Sequence, residues 1–173
     1  MNTFTLEIWD DECSRCTFYT VRKPGAKQNE TDRFLLKYGD QDAYKSSIQD
    51  MVTLLLKSIG EDHGADKALF NRDENEVQGL PPHGRFELES IGYHFPDFPL
   101  RLYALRLRVN LVVLFNGGIK DGPTNQTSSL NMNWREACAF ARRIDDALME
   151  GALLIDEERS LLFDPDQPDE LIL

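Results

Sequence analysis

The chain contains few cysteines and histidines, the residue types that identify disulfide-rich and metal-binding proteins most directly. Its 173 residues include only three cysteines and three histidines, which are Cys13, Cys16, Cys138, His63, His83 and His94. An odd cysteine count in a chain of this size argues against a disulfide framework and fits a reducing compartment. No apolar run approaches the ~20 residues that cross a bilayer. The sequence therefore predicts a cytoplasmic protein with no membrane association.

Motifs that bind metals or cofactors are also scarce. Cys13 and Cys16 form a Cys-x-x-Cys pair, but a structural zinc site needs four ligands, and no second such pair or close histidine pair follows. A redox-active pair normally opens a helix, whereas this one leads into the strand-like "CTFYTVR". The glycine-rich "NGGIKDG" matches neither common phosphate-binding pattern. We therefore expect neither a metal nor a cofactor.

Charge is unevenly distributed along the chain. The formal net charge is −11, which argues against indiscriminate binding to nucleic acid or to an anionic membrane. Between residues 101 and 143, however, seven lysines and arginines face only Asp121 and Glu136, so this segment carries +5 and the remainder −16. Positive charge is thus concentrated in one part of the sequence.

Hydrophobic periodicity predicts two main helices. From Asp42 to Gly60 apolar residues recur every three or four positions, with Asp42 as N-cap and Gly60 as the stop. The same spacing recurs at 133–151, with Asn133 as cap and Gly151 as stop. A shorter helix is predicted at "TDRFLLKYG", capped by Thr31.

Strand patterns surround these helices. "TFTLEIW" and "CTFYTVR" predict an antiparallel hairpin, and "LYALRLR" alternates between apolar and polar positions. The uniformly apolar "LVVLF" predicts a central strand covered on both faces, which Gly117 and Gly118 then end through positive φ angles. A polar loop is expected at 120–129, and a small hairpin at "ALLIDEERSLLF".

These elements predict an α+β fold. We expect a mainly antiparallel sheet of about five or six strands, packed by helices near 43–59 and 134–150. The whole chain, 1–173, is expected to be a single α+β domain with an extended acidic C-terminal tail at 164–173.

Three basic residues form the candidate site. Strand alternation places Arg106 and Arg108 on one face, and Lys120 follows the end of the next strand, so the three could converge on one edge of the sheet. Guanidinium groups in such a place suit phosphate recognition, which predicts nucleic-acid binding. The alternative is that these cations pair with the acids of the chain itself.

The order of elements resembles a known family. A helical region, "GLPPHG", "LYALRLR", "LVVLFNGGIK" and "NWREACAFARRIDDAL" follow one another over about residues 79–148. This resembles the bacterial RelE/HigB-like toxin superfamily. The resemblance implies a prokaryotic, toxin-like protein that cleaves ribosome-associated mRNA without a metal, with Arg106 and Lys120 at the phosphate. RNA, the ribosome or a protein antitoxin would then be its partners.

A second class of function stays open. The acidic composition also fits a noncatalytic protein-interaction module, whose acidic surface or "ELIL" tail contacts another protein. No nucleophile or acid–base pair is recognisable in the sequence, so no catalytic residue is assigned and enzymatic activity is left undecided.

Overall fold

Ten strands and three α-helices make up the described part of the chain. The computed structural model describes residues 3–71, 77–95, 97–120 and 130–173. The strands are β1 (Thr5–Asp10), β2 (Thr17–Arg22), β3 (Gln78–Leu80), β4 (Gly84–Leu88), β5 (Ile91–Phe95), β6 (Leu100–Arg108), β7 (Leu111–Ile119), β8 (Leu154–Asp156), β9 (Leu161–Phe163) and β10 (Leu171–Ile172). The helices are α1 (Glu30–Gly39), α2 (Lys45–Thr53), a π-helix (Leu54–His63) that continues α2, a 3₁₀ turn (Lys67–Leu69) and α3 (Asn131–Glu150).

A six-stranded sheet organises the fold. Its strand order is β10-β1-β2-β7-β6-β3, and two separate hairpins are formed by β4 with β5 and by β8 with β9. Only β2 and β7 are parallel neighbours in the six-stranded sheet; the other neighbours are antiparallel. The predicted α+β class with a mainly antiparallel sheet is therefore confirmed.

Each face of the sheet has its own apolar core. On the α3 side, sheet residues such as Tyr19 and Phe115 pack with Phe140 and Ile144 of α3. On the opposite side, here called the α1 side, Val112 and Leu114 of β7 belong to a core that also contains Phe34, Met51, Leu55 and Ile59. Burial of both faces explains why "LVVLF" is uniformly apolar. The predicted central strand is confirmed.

The helix ends differ from those predicted. The N-cap of α1 is Asn29, whose side chain accepts a hydrogen bond of 2.8 Å from the Asp32 amide. Thr31 is instead buried, and its hydroxyl donates to the carbonyl of Phe115 at 3.1 Å. The predictions of Asp42 as a cap and Gly60 as a stop are wrong, because α2 begins at Lys45 and its π-helical continuation runs to His63.

The third helix has a confirmed end and a corrected start. Gly151 adopts the left-handed conformation with φ of 78°, as expected for a glycine that stops a helix. The helix starts at Asn131 and not at the predicted cap, Asn133, because a local turn at Leu130 already begins the helical hydrogen bonding: the Trp134 amide donates to the Leu130 carbonyl.

The glycine pair of β7 has a role other than the predicted one. Gly117 and Gly118 lie inside β7, and neither has a positive φ angle. The expectation that they turn the chain out of the sheet is therefore wrong. A Cβ at Gly117 would lie 1.9 Å from the carbonyl oxygen of Arg101 on β6. Close approach of two backbones therefore explains this glycine.

The end of the chain belongs to the sheet. The predicted hairpin at "ALLIDEERSLLF" is confirmed as β8 and β9. Residues of the tail then form β10, which pairs with β1, and Leu173 exchanges two backbone hydrogen bonds with Phe4 at 2.8 and 2.9 Å. The predicted polar loop lies outside the described residues from 121 to 129. Among the helices that the structure describes, none has the length and apolar character needed to span a bilayer.

Candidate functional site

A β-bulge separates the two arginines of the predicted basic site. Arg106 lies opposite Val112 and Arg108 lies opposite Leu111, so one extra residue, Leu107, interrupts the register of β6. Val112 belongs to the core on the α1 side and Leu111 to the core on the α3 side. Because directly opposed residues share a face, the two arginines point to opposite faces of the sheet.

The contacts of the arginines agree with this placement. The Arg106 Nε donates a hydrogen bond to the carbonyl of Ala65, a residue of the core on the α1 side. The Arg108 Nε lies 3.2 Å from a carboxylate oxygen of Glu157, in the turn between β8 and β9 on the α3 side. Each guanidinium is thus engaged within the chain, in a different layer.

Lys120 lies at the far end of β7. Its ammonium is 3.2 Å from an Asp97 carboxylate oxygen, and this hydrogen bond holds the pKa of Asp97 below its usual value. Lys120 lies eight positions after Val112, the partner of Arg106, which corresponds to ~26 Å along a strand. The structure therefore does not bring Arg106, Arg108 and Lys120 together, and nucleic-acid binding by these residues stays a prediction.

The cysteine pair has the environment of structural thiols. Burial, together with the Asp10 and Glu61 carboxylates, raises the pKa of Cys13 to about 12. Burial likewise raises the pKa of Cys16 to about 12. Both thiols therefore stay protonated near neutral pH, which makes them poor nucleophiles and poor metal ligands. Within the described ranges, no three histidine, cysteine or acidic side chains are grouped so that they could hold a metal ion.

Beyond the last β2–β7 residue pair, a cleft lies between α1, the carboxyl end of β7 and the start of α3. β2 pairs with β7 only from Thr17 to Thr20, and the next carbonyl of β7, that of Phe115, is bound by Thr31 of α1. After β2 the chain passes to α1 on one face, and α3, the next described element after β7, packs on the other. Such a divergence leaves a crevice at the carboxyl ends of the strands, where ligands commonly bind in open α/β sheets.

This β2/β7 cleft is polar and has a volume of about 440 Å³. One face of α1 forms a wall of the cleft. This face presents Arg33, Leu36, Lys37 and, at the C-cap of the helix, Asp40. The cleft is lined by Gln28, Arg33, Leu36, Lys37, Asp40, Asn116, Gly117 and Asn133.

A buried ion cluster lies beside the cleft and shares Arg33 and Asn116 with its lining. Glu30, in the first turn of α1, is fully buried, and its carboxylate lies 2.8 Å from Arg33 Nη1 and 3.5 Å from Lys23 Nζ. The Asn116 side-chain amide donates to the same carboxylate at 3.5 Å. Lys23 also lies 2.8 Å from a carboxylate oxygen of Glu136 on α3. The cluster thus connects β7, both flanking helices and the end of β2.

The cluster is ionised at neutral pH. Burial alone raises the pKa of Glu30, but the hydrogen bond from Arg33 and the positive charges of Lys23 and Arg33 outweigh it, so the pKa falls below its ordinary value. Burial lowers the pKa of Lys23, but the contacts with Glu136 and Glu30 leave it raised. No sequence pattern marks this cluster, because Lys23, Glu30, Asn116 and Glu136 are distant in sequence and each resembles an ordinary surface residue.

A second candidate surface lies in the most acidic part of the chain. From residue 145 to 173 there are ten acidic side chains and one arginine, which gives −9 of the total −11. A groove of about 540 Å³ runs between the end of α3, β8 and β6. Its apolar lining consists of Leu105, Leu107, Leu148, Met149, Leu153, Leu154 and Ile155. We call it the α3/β8 groove.

Comparison with family models, curated proteins and solved structures found no match for this chain. The resemblance to RelE/HigB-like toxins therefore stays a prediction from sequence.

Proposed function

We propose that the protein is a noncatalytic interaction module that binds a basic amphipathic segment of another protein in the α3/β8 groove. The observation that carries this proposal is an open groove of mixed apolar and charged lining, set in the most acidic segment of the chain. Apolar contacts would supply affinity, while the surrounding acids would favour a basic partner and speed its association.

Exposed apolar side chains support a binding role for the groove. Met149 is 86% exposed and Leu154 is 37% exposed, although both lie beside the buried end of the α3-side core. Large side chains left in water at the mouth of an apolar groove are typical of surfaces that pack against a partner. An amphipathic segment would cover them with its apolar face.

The charges around the groove indicate what charge the bound segment of the partner would carry. Within the groove Arg108 pairs with Glu157, and Asp145 adds a second acid, whereas the guanidinium of Arg106, which borders the groove, is bound on the other face of the sheet. The excess of negative charge comes from acids adjacent in sequence to the lining residues, which are Asp146, Glu150, Asp156 and Glu158. A segment with lysines or arginines flanking its apolar face would match both features.

Titration calorimetry with designed peptides tests this function. We expect a lysine- and leucine-containing amphipathic peptide to bind, and its glutamate-containing counterpart of equal hydrophobicity to bind at least about tenfold more weakly. Met149→Gln combined with Leu154→Gln should weaken binding. Met132→Gln is the matched control, because Met132 is similarly exposed, at 81%, but lies at the other end of α3. Equal binding of both peptides would contradict the proposal.

The toxin-like function makes a different prediction. If the chain cleaves RNA, induced expression should arrest bacterial growth, and Arg106→Ala should abolish the arrest. Unimpaired growth with intact transcripts is expected of an interaction module. The contacts of Arg108 and Lys120 with carboxylates of the chain itself favour the interaction module.

A further inference from the structure

We propose that the β2/β7 cleft is a binding site for a small organic anion carrying a carboxylate or phosphate group. The proposal concerns a different surface from the α3/β8 groove and does not depend on it. The β2/β7 cleft has a volume of about 440 Å³, which lies within the range of small-molecule sites. The cleft lies beside the carboxyl end of β7, where α1 and α3 pack on opposite faces of the sheet.

Two cations on one face of α1 define the anionic character of the ligand. Arg33 and Lys37 are four residues apart, so their side chains are neighbours on the helix surface, and both line the cleft. Asp40 also lines the cleft, ~10 Å along the helix from Arg33 and about one turn from Lys37, so it lies at the Lys37 end. At the other end the cation is Arg33, whose charge is partnered from below by buried Glu30.

Buried Glu30 orients the arginine for this role. It engages Nη1 of Arg33 at 2.8 Å, and a guanidinium carries five N–H donors in a fixed plane, so the remaining donors can serve a ligand. This contact also restricts the guanidinium before a ligand arrives, which reduces the entropy lost on binding. Lys23 and Glu136, 2.8 Å apart, form a balanced pair in the same cluster.

Amide side chains supply further hydrogen-bonding groups to the cleft. Asn116 of β7, Asn133 of α3 and Gln28, just before α1, all line the cleft. Amides donate hydrogen bonds without adding charge, which suits the oxygens of a carboxylate or phosphate and any hydroxyl groups on the ligand. The cleft thus combines charge-assisted and neutral donors from three separate elements around one cavity.

The test uses the full chain with two probes, inorganic phosphate and citrate, at constant ionic strength set with chloride. Binding is followed by backbone amide chemical shifts. We expect saturable shifts at the start of α1 and in β7 for at least one probe. A response to phosphate alone identifies a phosphoryl ligand, and a response to citrate alone identifies a carboxylate ligand.

Variants assign the binding to the cleft. Lys37→Gln and Asn133→Ala should each weaken binding, by about tenfold or more for Lys37, because charge-assisted hydrogen bonds contribute more than neutral ones. Arg33→Lys keeps the charge beside Glu30 but removes the planar fork, and should weaken binding as well. Lys45→Gln is the control, an exposed cation at the start of α2 that does not line the cleft.

Two results would overturn the proposal. One is the absence of saturable shifts with either probe while the spectrum shows a folded protein. The other is binding that Lys37→Gln and Arg33→Lys leave as strong as Lys45→Gln does. Neither result tests binding in the α3/β8 groove, so the two proposals are tested independently.

Discussion

At the scale of single residues, one extra residue in β6 decides where two arginines can act. Leu107 is accommodated in a bulge, so Arg106 and Arg108 leave the sheet on opposite faces. Alternation along the sequence places them on the same face, and nothing in "LRLRVN" marks the bulge. Its position depends on the pairing with β7, which the sequence of β6 alone does not contain.

Gly117 offers a test of strand packing at the same scale. Gly117→Ala should lower the free energy of unfolding by about 3 kcal/mol or more, because the added Cβ would lie 1.9 Å from a backbone oxygen that cannot move away without disrupting β6. Urea unfolding monitored by circular dichroism measures the change. Gly92→Ala is the control, since a Cβ there meets no atom within 4 Å. Equal effects of the two substitutions would mean that β6 and β7 are less close than described.

At the scale of secondary-structure elements, local patterns predicted which segments form strands and helices. The uniformly apolar β7 and the periodic helices near 43–59 and 134–150 were identified because burial selects residue type at regular spacing. Strand order and the β2/β7 cleft were not predicted. The ion cluster beside the cleft depends on Lys23, Glu30, Asn116 and Glu136, which only the complete topology brings together.

The ion cluster that joins these elements should make stability depend on acid pH. Glu30 has a lowered pKa in the folded state, so its contribution is present above its ordinary value of 4.5 and is lost as pH falls below that value. Glu30→Gln should therefore reduce stability at neutral pH and flatten its decline in acid. Thermal unfolding between pH 3 and 7 measures both effects. Glu158→Gln, at an exposed position, is the control, and an unchanged pH profile for Glu30→Gln would contradict the assignment.

At the scale of the whole molecule, negative charge is concentrated at one end of the sequence. The segment from 145 to 173 carries −9, yet β10 holds its last residues against β1 and the β8–β9 hairpin packs on the α3-side core. Apolar contacts and backbone hydrogen bonds thus keep like charges close together. The predicted acidic tail is therefore folded back at its end, where Leu171 and Leu173 pack against the core.

Salt should consequently stabilise the protein. Raising sodium chloride from 10 to 300 mM shortens the Debye length from about 30 Å to well below 10 Å, which screens repulsion among the ten acids of residues 145–173 more than it weakens the close ion pairs. We expect Tm to rise with salt. A triple variant, Glu158→Gln, Asp169→Asn and Glu170→Gln, removes three exposed acids and should show a higher Tm at low salt and a smaller rise. A Tm that falls with salt would mean that attractive ion pairs, such as those around Glu30, dominate the electrostatic energy of the fold.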